Sequence, residues 1–247
     1  MVSSRLIVYS STCPYQNIAL DEALFVSVIK YPRPTCRIWI NSEDVVYLGI
    51  GKKVKQDVHL SACQSDNVPV IRRFSGGGTV LHDAFTLNYT FALPLEDYPE
   101  CVSIQKSYYY ILDLLNRILK PLSVTLNLSG NSDWTVNGYK ISGNAQSRRK
   151  NVILHHGTLL LRCFPEKVGR YLAEPPHQPE YREKRSHMDF LTSFEELSVS
   201  LDLKSFVKLL RVEWPNFKLE NFSSKESLLA EQFVREKYSL DTWNLKI

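Results

Sequence analysis

Three consecutive glycines at residues 76–78 separate two apolar stretches, residues 68–71 and 85–93. Backbone without Cβ atoms can adopt positive φ and approach a ligand closely, so the pattern predicts a strand, a glycine loop and a second strand. Arginines at 72–73 place cations at the mouth of the loop, which favours an anionic ligand. The glycine spacing fits neither a P-loop nor a dinucleotide-binding fingerprint. A plain hairpin turn is the alternative, although such turns usually need only one or two glycines.

The composition is that of an ordinary globular protein. The 247 residues are 44% hydrophobic and 23% charged, and no linker divides them, so we expect a single domain over residues 1–247. The net charge of +4 suits an anionic ligand but is too weak to indicate nucleic acid. No apolar stretch reaches membrane-spanning length. Five cysteines without a CxxC pair indicate reduced thiols, and hence a cytoplasmic location.

Hydrophobic periodicity predicts strands alternating with helices. The predicted strands are 5–9, 36–40, 45–48, 68–71, 86–93, 122–128, 134–136, 139–142 and 152–161, and the predicted helices are 15–30, 57–65, 102–119, 203–212 and 224–238. The strands at 36–40 and 45–48 are expected to form a hairpin, as are the two strands that flank the Asn-Gly pair at 137–138. Residues 165–189 are rich in proline and charge, which predicts a long loop with a short helix near 167–173.

A second segment of chemical interest follows the turn at 137–138. Lys140 lies there, just before a Ser-Gly pair at 142–143 that leaves room for a ligand. A fixed ammonium could hold a carboxylate and then a phosphate while charge moves during acyl transfer. Asp133, just upstream, could orient this lysine or hold a metal ion. A solvated lysine at a sheet edge and an ordinary turn aspartate are the plain alternatives.

Two adjacent histidines, His155 and His156, lie on a predicted strand. Neighbouring strand residues face opposite sides of a sheet, so the pair cannot bind one metal ion, which argues against zinc. We expect one to pack beside a pocket and the other to face solvent. Arg148 and Arg149 are candidate phosphate contacts or surface charges. No Gly-x-Ser-x-Gly elbow occurs, and no cysteine adjoins Lys140 or the glycine loop, so a noncovalent mechanism is favoured.

Three segments together resemble the signature blocks of the lipoate–protein ligase A family. They are Arg-Arg-Phe-Ser-Gly-Gly-Gly-Thr-Val-Leu-His-Asp at 72–83, Gly-Tyr-Lys-Ile-Ser-Gly-Asn-Ala at 138–145 and His-His-Gly-Thr-Leu-Leu at 155–160. Their order and spacing are similar to the family's, and the segment at 17–22 resembles its first helix. The resemblance implies an α/β (α+β) fold, with a mixed, largely antiparallel sheet flanked by helices as in biotin/lipoate ligase catalytic domains.

The resemblance also implies a two-step reaction. Lipoate attacks the α-phosphate of ATP with the help of Mg²⁺, and a lysine of a lipoyl domain then attacks the resulting lipoyl-AMP. Carried over by position, the residues that would bind ATP and lipoyl-AMP are Arg73, Ser75, Gly76, Gly77, Gly78, Thr79, Val80 and Leu81. Lys140 would contact the acyl carbonyl and the phosphate as the catalytic residue. Asp133 would support Lys140 or the metal. His82 and His156 are candidates for the pocket wall.

Two departures from the family pattern affect the expected activity. Many members carry a further C-terminal domain, which we expect this chain to lack. Adenylation would then use a separate small accessory chain, proceed unaided, or give way to transfer from preformed lipoyl-AMP. Where the family often has an arginine and then a Gln-Asn pair, this chain has Ile-Gly-Lys-Lys at 50–53, whose lysines could act as point charges.

The expected acceptors are lipoyl-domain proteins, namely dehydrogenase E2 subunits and the glycine-cleavage H protein. The choice between lipoate and octanoate stays open. An octanoyl or lipoyl transferase that uses a cysteine thioester is the second interpretation, but residues 128–134, where its cysteine would be expected, contain none. A noncatalytic module that binds a cofactor or a partner is the third.

Overall fold

The computed structural model describes residues 3–174, 178–214 and 216–246. The strands are β1 Ser4–Val8, β2 Thr35–Ile40, β3 Val45–Leu48, β4 Val70–Arg72, β5 Val80–His82, β6 Thr86–Pro94, β7 Asn127–Ser129, β8 Asp133–Val136, β9 Tyr139–Arg149, β10 Val152–Leu160 and β11 Phe217–Leu219. The α-helices are α1 Pro14–Lys30, α2 Val54–Asp57, α3 Leu60–Ser65, α4 Ile104–Leu119, α5 Pro165–Tyr171, α6 His187–Phe190, α7 Leu203–Glu213, α8 Ser224–Phe233 and α9 Asp241–Asn244. A π-helical turn, Val234–Tyr238, continues α8.

Eight of these strands form one large sheet in the order β11-β1-β2-β6-β10-β9-β8-β7. Pairing is parallel between β11, β1 and β2 and antiparallel from β2 onward. A second sheet has the order β4-β3-β5, with β3 parallel to β4 and antiparallel to β5. The mixed, largely antiparallel α/β fold expected from the sequence is therefore confirmed.

Helices cover both faces of the large sheet because its strands are apolar on both sides. Leu6 packs in the core cluster that contains the apolar stripe of α4, whereas its neighbour Ile7 packs in the cluster that contains Leu24 and Phe25 of α1. Successive strand residues point to opposite faces, so α4 and α1 lie on opposite sides of the sheet. Ser103 is the N-cap of helix α4, and its side chain accepts a hydrogen bond from the Lys106 N–H.

The small sheet positions the glycine loop. Strands β4 and β5 do not pair with each other, because each lies on one edge of β3. The loop that joins them therefore crosses the end of β3, and the strand that follows it is the short β5 rather than the predicted strand at 86–93. That later stretch forms β6, which is buried along its whole length in the large sheet.

The hairpin expected between residues 36–40 and 45–48 is wrong. Strand β2 already has β1 on one edge and β6 on the other, so no edge is left for β3, which joins the small sheet instead. The hairpin across the turn at 137–138 is confirmed as β8 and β9. Of the strand expected at 122–128, only the last two residues are in a strand, as the start of β7 (Asn127–Ser129). The Asn116 side chain bonds both the N–H and the carbonyl of Leu126, and so replaces a neighbouring strand there.

The segment at 165–189 contains more regular structure than the predicted loop and short helix. It holds α5, a 3₁₀ turn at Glu180–Arg182 and α6, while residues 175–177 lie outside the described ranges. Buried Arg182 anchors it by ion pairing with Glu174 and by lying 4.6 Å from the Phe190 ring centroid. The expected helix at 57–65 is likewise divided into α2 and α3. Across the described ranges, we find no helix with the length and hydrophobicity that crossing a bilayer requires.

Candidate active site

Arg73 lies inside the glycine loop rather than at its mouth. Its guanidinium donates to the carbonyls of Gly76 and Gly78, at 2.6 and 2.8 Å, and reaches the carbonyl of Tyr47 at 3.3 Å. Burial lowers the pKa of Arg73 to about 10, so the side chain stays charged at neutral pH. The loop is thus folded around a fixed positive charge.

The loop carbonyls turn toward Arg73, while the loop N–H groups stay free. Among the hydrogen bonds made by the described residues, none is donated by the N–H of Gly76, Gly77 or Gly78. Gly77 has φ +87°, a conformation that a side chain would strain. Successive free N–H groups beside a buried guanidinium form a surface suited to an anion.

Arg72 points away from the site, although the sequence places it beside Arg73. Its guanidinium donates to carbonyls in residues 49–52 and to those of Trp243 and Lys246. It lines neither of the cavities described below. Arg72 therefore connects the end of the chain to a neighbouring loop and has no access to a ligand.

Lys140 and Asp133 meet across the β8–β9 hairpin. The Lys140 Nζ lies 2.9 Å from the Asp133 Oδ1, and both side chains are largely buried, 23% and 15% exposed. The other carboxylate oxygen of Asp133 accepts a hydrogen bond from the Tyr181 hydroxyl at 2.6 Å. The pairing of β8 with β9 shifts by one residue between Trp134 and Thr135. This bulge lets the Asp133 carboxylate reach Lys140, which a regular alternation of side chains would turn to the other face of the sheet.

The two adjacent histidines differ from the expectation in one respect. The Nε2 of His156 lies 2.6 Å from the hydroxyl of Ser75, at the pocket wall. His155 is fully buried on the opposite face, with its ring parallel to that of Trp134, so the expectation that one of the two histidines faces solvent is wrong. Other elements cover the face of β10 that carries His155, whereas His156, on the other face, is half-buried at the cavity. Burial, with Arg73 nearby, lowers the pKa of His156 well below its usual range and that of His82 to about 3.

Two adjoining cavities, here called the small lobe and the large lobe, open beside Lys140. Their volumes are about 90 Å³ and about 520 Å³. The residues that line both are Gly78, Thr79, Val80, His82, Asp133 and Lys140, together with Ser132, Gly143 and Thr158. Lys140 and Asp133 therefore lie where the lobes meet, opposite the glycine loop.

The remaining sequence candidates divide between the lobes. Arg73 and His156 line the small lobe, whose far wall is Ile18, Trp39 and Tyr47. Gly77 and Leu81 line the large lobe. Ser75 and Gly76 line neither, although Ser75 holds His156. Arg148 donates to the carbonyls of residues 101–103, just before α4, and is a structural contact.

Sequence reasoning missed most of the large lobe. One wall is Asp57 together with Lys52, which the sequence had indicated as a possible point charge, and another is formed by Arg182, His187 and Phe190, which it had not indicated. Most of these residues lie on short helical elements that are distant from one another in sequence, so no periodic pattern could have identified them as neighbours. The Asp57 carboxylate accepts from the Thr79 hydroxyl at 2.7 Å, which connects α2 to the glycine loop.

The described residues contain no cluster of three metal-ligating side chains. A Mg²⁺ ion commonly binds one or two carboxylates together with substrate phosphates and water. Asp57 and Asp133 line the same lobe and fit that arrangement.

Comparisons with known proteins agree on one family and one fold. The model for the lipoyl protein ligase A/B catalytic domain matches residues 13–213. A putative lipoate-protein ligase A of Aeropyrum pernix is 29% identical over 167 residues, and the match covers 68% of this chain but only 61% of that protein. The chain thus spans less than two thirds of that relative.

Two further matches extend over nearly the whole chain. The octanoyltransferase LipM of Brevibacillus brevis is 30% identical over 277 aligned positions, which cover 98% of each protein. A structure from an archaeal lipoylation system of Thermoplasma acidophilum, described as a bi-partite lipoate protein ligase and its E2 lipoyl domain, has a TM-score of 0.86 at 21% identity. That superposition covers 99% of this chain and 97% of the other.

Proposed function

Because the chain belongs to the lipoyl protein ligase A/B catalytic domain family, we propose that it is a lipoate–protein ligase. It would activate lipoate with ATP and transfer the lipoyl group to a lysine of a lipoyl-domain protein. The observation that carries this proposal is the Lys140 ammonium, held by Asp133 at the junction of two cavities and facing a loop with free N–H groups.

In the first step, a carboxylate oxygen of lipoate attacks the α-phosphorus of ATP and pyrophosphate leaves. Both reactants are anionic, so they repel each other unless a cation lies between them. Lys140 supplies that cation, and the free N–H groups of residues 76–78 stabilise further negative charge. The volumes of the lobes support placing the nucleotide in the large lobe and the acyl chain in the small one.

In the second step, the ε-amine of an acceptor lysine attacks the acyl carbonyl of lipoyl-AMP, and AMP leaves. Lys140 then lies beside both the carbonyl oxygen and the departing phosphate. Because Asp133 and Tyr181 fix its position, little reorganisation is needed as charge moves from one group to the other.

Asp57 and Asp133 are the residues that would hold Mg²⁺ with the nucleotide phosphates. The ion would neutralise charge on the triphosphate and the leaving pyrophosphate. Lys52, whose Nζ lies 3.7 Å from Asp57, is the nearby cation that could take the place of the family's usual arginine at this loop. Its half-exposed ammonium acts as a point charge and not as a two-pronged donor.

The direct test is lipoate-dependent ATP–pyrophosphate exchange, together with lipoyl transfer from synthetic lipoyl-AMP to a purified lipoyl domain. We expect Lys140→Ala to abolish both reactions while the fold is retained. Lys106→Ala, at an exposed position on α4, is the matched control and should retain both. Normal transfer by Lys140→Ala would refute the role given to Lys140.

The same assays address the accessory chain and the acceptors. Transfer from lipoyl-AMP without exchange would indicate that adenylation needs a further chain, which fits the bi-partite description of the archaeal protein. Adding a candidate small chain should then restore exchange. Lipoyl domains of dehydrogenase E2 subunits and the glycine-cleavage H protein are the acceptors to compare. A noncatalytic role is supported only if neither reaction occurs under any of these conditions.

An octanoyl or lipoyl transferase is the second candidate, because the match to LipM covers both chains almost completely. Cys163 is the one described cysteine that lines either lobe. Burial, with Glu196 and Asp83 nearby, raises the pKa of its thiol to about 12, which disfavours the thiolate a thioester mechanism needs. Replacing each cysteine by serine decides between the two mechanisms. Loss of transfer in any single variant would favour the thioester route.

A further inference from the structure

The Asp133 carboxylate has two partners, and only one of them belongs to its own hairpin. Oδ1 lies 2.9 Å from the Lys140 Nζ, and Oδ2 accepts from the Tyr181 hydroxyl at 2.6 Å. Tyr181 is 48 residues from Asp133 along the chain. Since each carboxylate oxygen is fixed by a different donor, the carboxylate cannot rotate without breaking one of the two contacts.

The Tyr181 ring is held firmly enough to act as such an anchor. It packs against the Phe190 ring, with 5.4 Å between the centroids. Gly130 also lies close to the ring: a Cβ there would lie 3.2 Å from a Tyr181 ring carbon, and φ is +57°. A larger residue at position 130 would therefore displace the ring, and the phenol position is set by packing.

Residues 178–192, here called the cover segment, also contact Lys140 directly. The Thr192 N–H donates to the Lys140 carbonyl at 2.9 Å, and Leu191 forms a bridge with Lys140. Arg182 and Phe190 of the same segment line the large lobe. The cover segment, which forms a wall of the proposed nucleotide cavity, thus contacts Lys140 directly through its backbone. It also acts on Lys140 indirectly, because the Tyr181 side chain contacts Asp133, which holds the lysine.

Tyr181 is suited to donating a hydrogen bond and not to exchanging protons. Burial, and then the neighbouring Asp133 charge, raise the pKa of its hydroxyl above the ordinary value, so the proton stays on the phenol. The hydroxyl therefore keeps the proton that it donates to Asp133 Oδ2, and the other carboxylate oxygen stays available for the lysine.

We propose that Tyr181 is a positioning residue that orients the Asp133 carboxylate and thereby fixes the Lys140 ammonium at the junction of the two lobes. The proposal rests on the ligase function given above. It implies that Tyr181 affects the rate of acyl transfer although it acts only through Asp133, and that its effect disappears once Asp133 can no longer hold the lysine.

The test compares Tyr181→Phe with Tyr139→Phe. Tyr139 is the neighbour of Lys140 on the same hairpin, is 45% exposed and makes no hydroxyl hydrogen bond within the described ranges. We expect Tyr181→Phe to lower kcat for transfer from lipoyl-AMP by about tenfold or more, with KM for the lipoyl domain unchanged. Tyr139→Phe should stay within about twofold of wild type. In an Asp133→Asn background, Tyr181→Phe should have no additional effect.

A second measurement needs no enzymatic activity. Lys140 is labelled with an amine-reactive acetylating ester, and its labelling rate is compared with that of Lys106 by peptide mass spectrometry. We expect Tyr181→Phe to speed labelling of Lys140 by about threefold, because the Asp133 carboxylate can then rotate and no longer holds the ammonium in one position. Asp133→Asn should speed it as much, and the double variant no more than either single variant.

The outcomes separate this proposal from the proposed function. A wild-type chain inactive in every assay would refute the ligase function, and the labelling rates would then decide the role of Tyr181 alone. Labelling of Lys140 in Tyr181→Phe at the wild-type rate would overturn the proposal. So would kcat losses from Tyr181→Phe and Asp133→Asn that multiply in the double variant.

Discussion

Gly49 and Gly77 bring two backbone segments into direct contact beside the candidate active site. A Cβ on Gly49 would lie 2.1 Å from the carbonyl oxygen of Gly77, much closer than atoms can approach. The same two segments are joined by hydrogen bonds from the Gly49 N–H to Gly78 and from the Ile50 N–H to Ser75. Residue 49 therefore determines how closely the glycine loop can be held against its neighbour.

Gly49→Ala should disturb the glycine loop because the obstructing atom is backbone and cannot rotate aside. We expect a loss of unfolding free energy of about 1–3 kcal/mol, and slower lipoyl transfer because the free N–H groups at 76–78 are displaced. Gly51→Ala is the control, since a Cβ at that position meets no atom within 4 Å. Urea denaturation and the transfer assay measure the two effects. Equal behaviour of the two variants would contradict the role given to the contact.

At the scale of elements, the end of the chain is joined to the active-site loops through Arg72. The indole N–H of Trp243 donates to the Arg72 carbonyl, and the Asn244 side chain accepts from the Arg72 N–H. The guanidinium reaches back to carbonyls of residues 49–52. The fully buried side chain of Arg72, which lies on β4, thus connects helix α9 to the loop beside Gly49.

Arg72→Lys should therefore destabilise the protein although the charge is kept. An ammonium cannot span carbonyls on both sides, so several buried acceptors would lose their donor. We expect a loss of about 2–4 kcal/mol in urea denaturation. Arg149→Lys, at an exposed position on β9, should change stability by less than about 0.5 kcal/mol. A small effect of Arg72→Lys would show that the contacts with α9 contribute little.

Arg72 and Arg73 also show how far sequence reasoning could go. The glycine run and the apolar stretches around it correctly indicated a loop between strands. Local sequence could not reveal that one arginine folds into the loop while the other faces α9, because their partners include residues 47 and 243. Tyr181 was missed for the same reason, since its partner Asp133 is distant in sequence and no periodic pattern connects them.

For the whole molecule, short-range patterns predicted most elements, whereas strand order depended on which edges were already occupied. The hairpin at 137–138 was predictable because its turn chemistry is local. The two neighbours of β2 were not predictable, because β1 and β6 come from distant parts of the chain. Likewise, the expectation that one of the two adjacent histidines faces solvent failed because other elements cover the face of β10 that carries His155, which the strand sequence alone does not show.

Burial of several histidines makes the stability of the whole molecule depend on pH. Burial lowers the pKa of both His82 and His155 to about 3, and that of His156 falls in the same direction. An unfolded histidine has a pKa of about 6.5, so between these values the unfolded state binds more protons than the folded state. Above about pH 6.5 these histidines therefore take nothing away from the unfolding free energy, and as the pH is lowered below that value the unfolding free energy falls.

Replacing His155 by glutamine isolates one of these contributions. Below about pH 6.5, each such histidine should lower the unfolding free energy by up to about 1.4 kcal/mol per pH unit, because its folded form stays neutral. Urea denaturation at pH 7, 6 and 5 should show a slope shallower by about that amount in His155→Gln. His59→Gln, at an exposed position, should keep the wild-type slope.

Burial raises the pKa of Asp21, which therefore contributes to the pH dependence of stability with the opposite sign. Asp21 is present in every variant, so the difference between slopes reports His155. An unchanged slope in His155→Gln would mean that the buried imidazole takes up a proton in the folded protein.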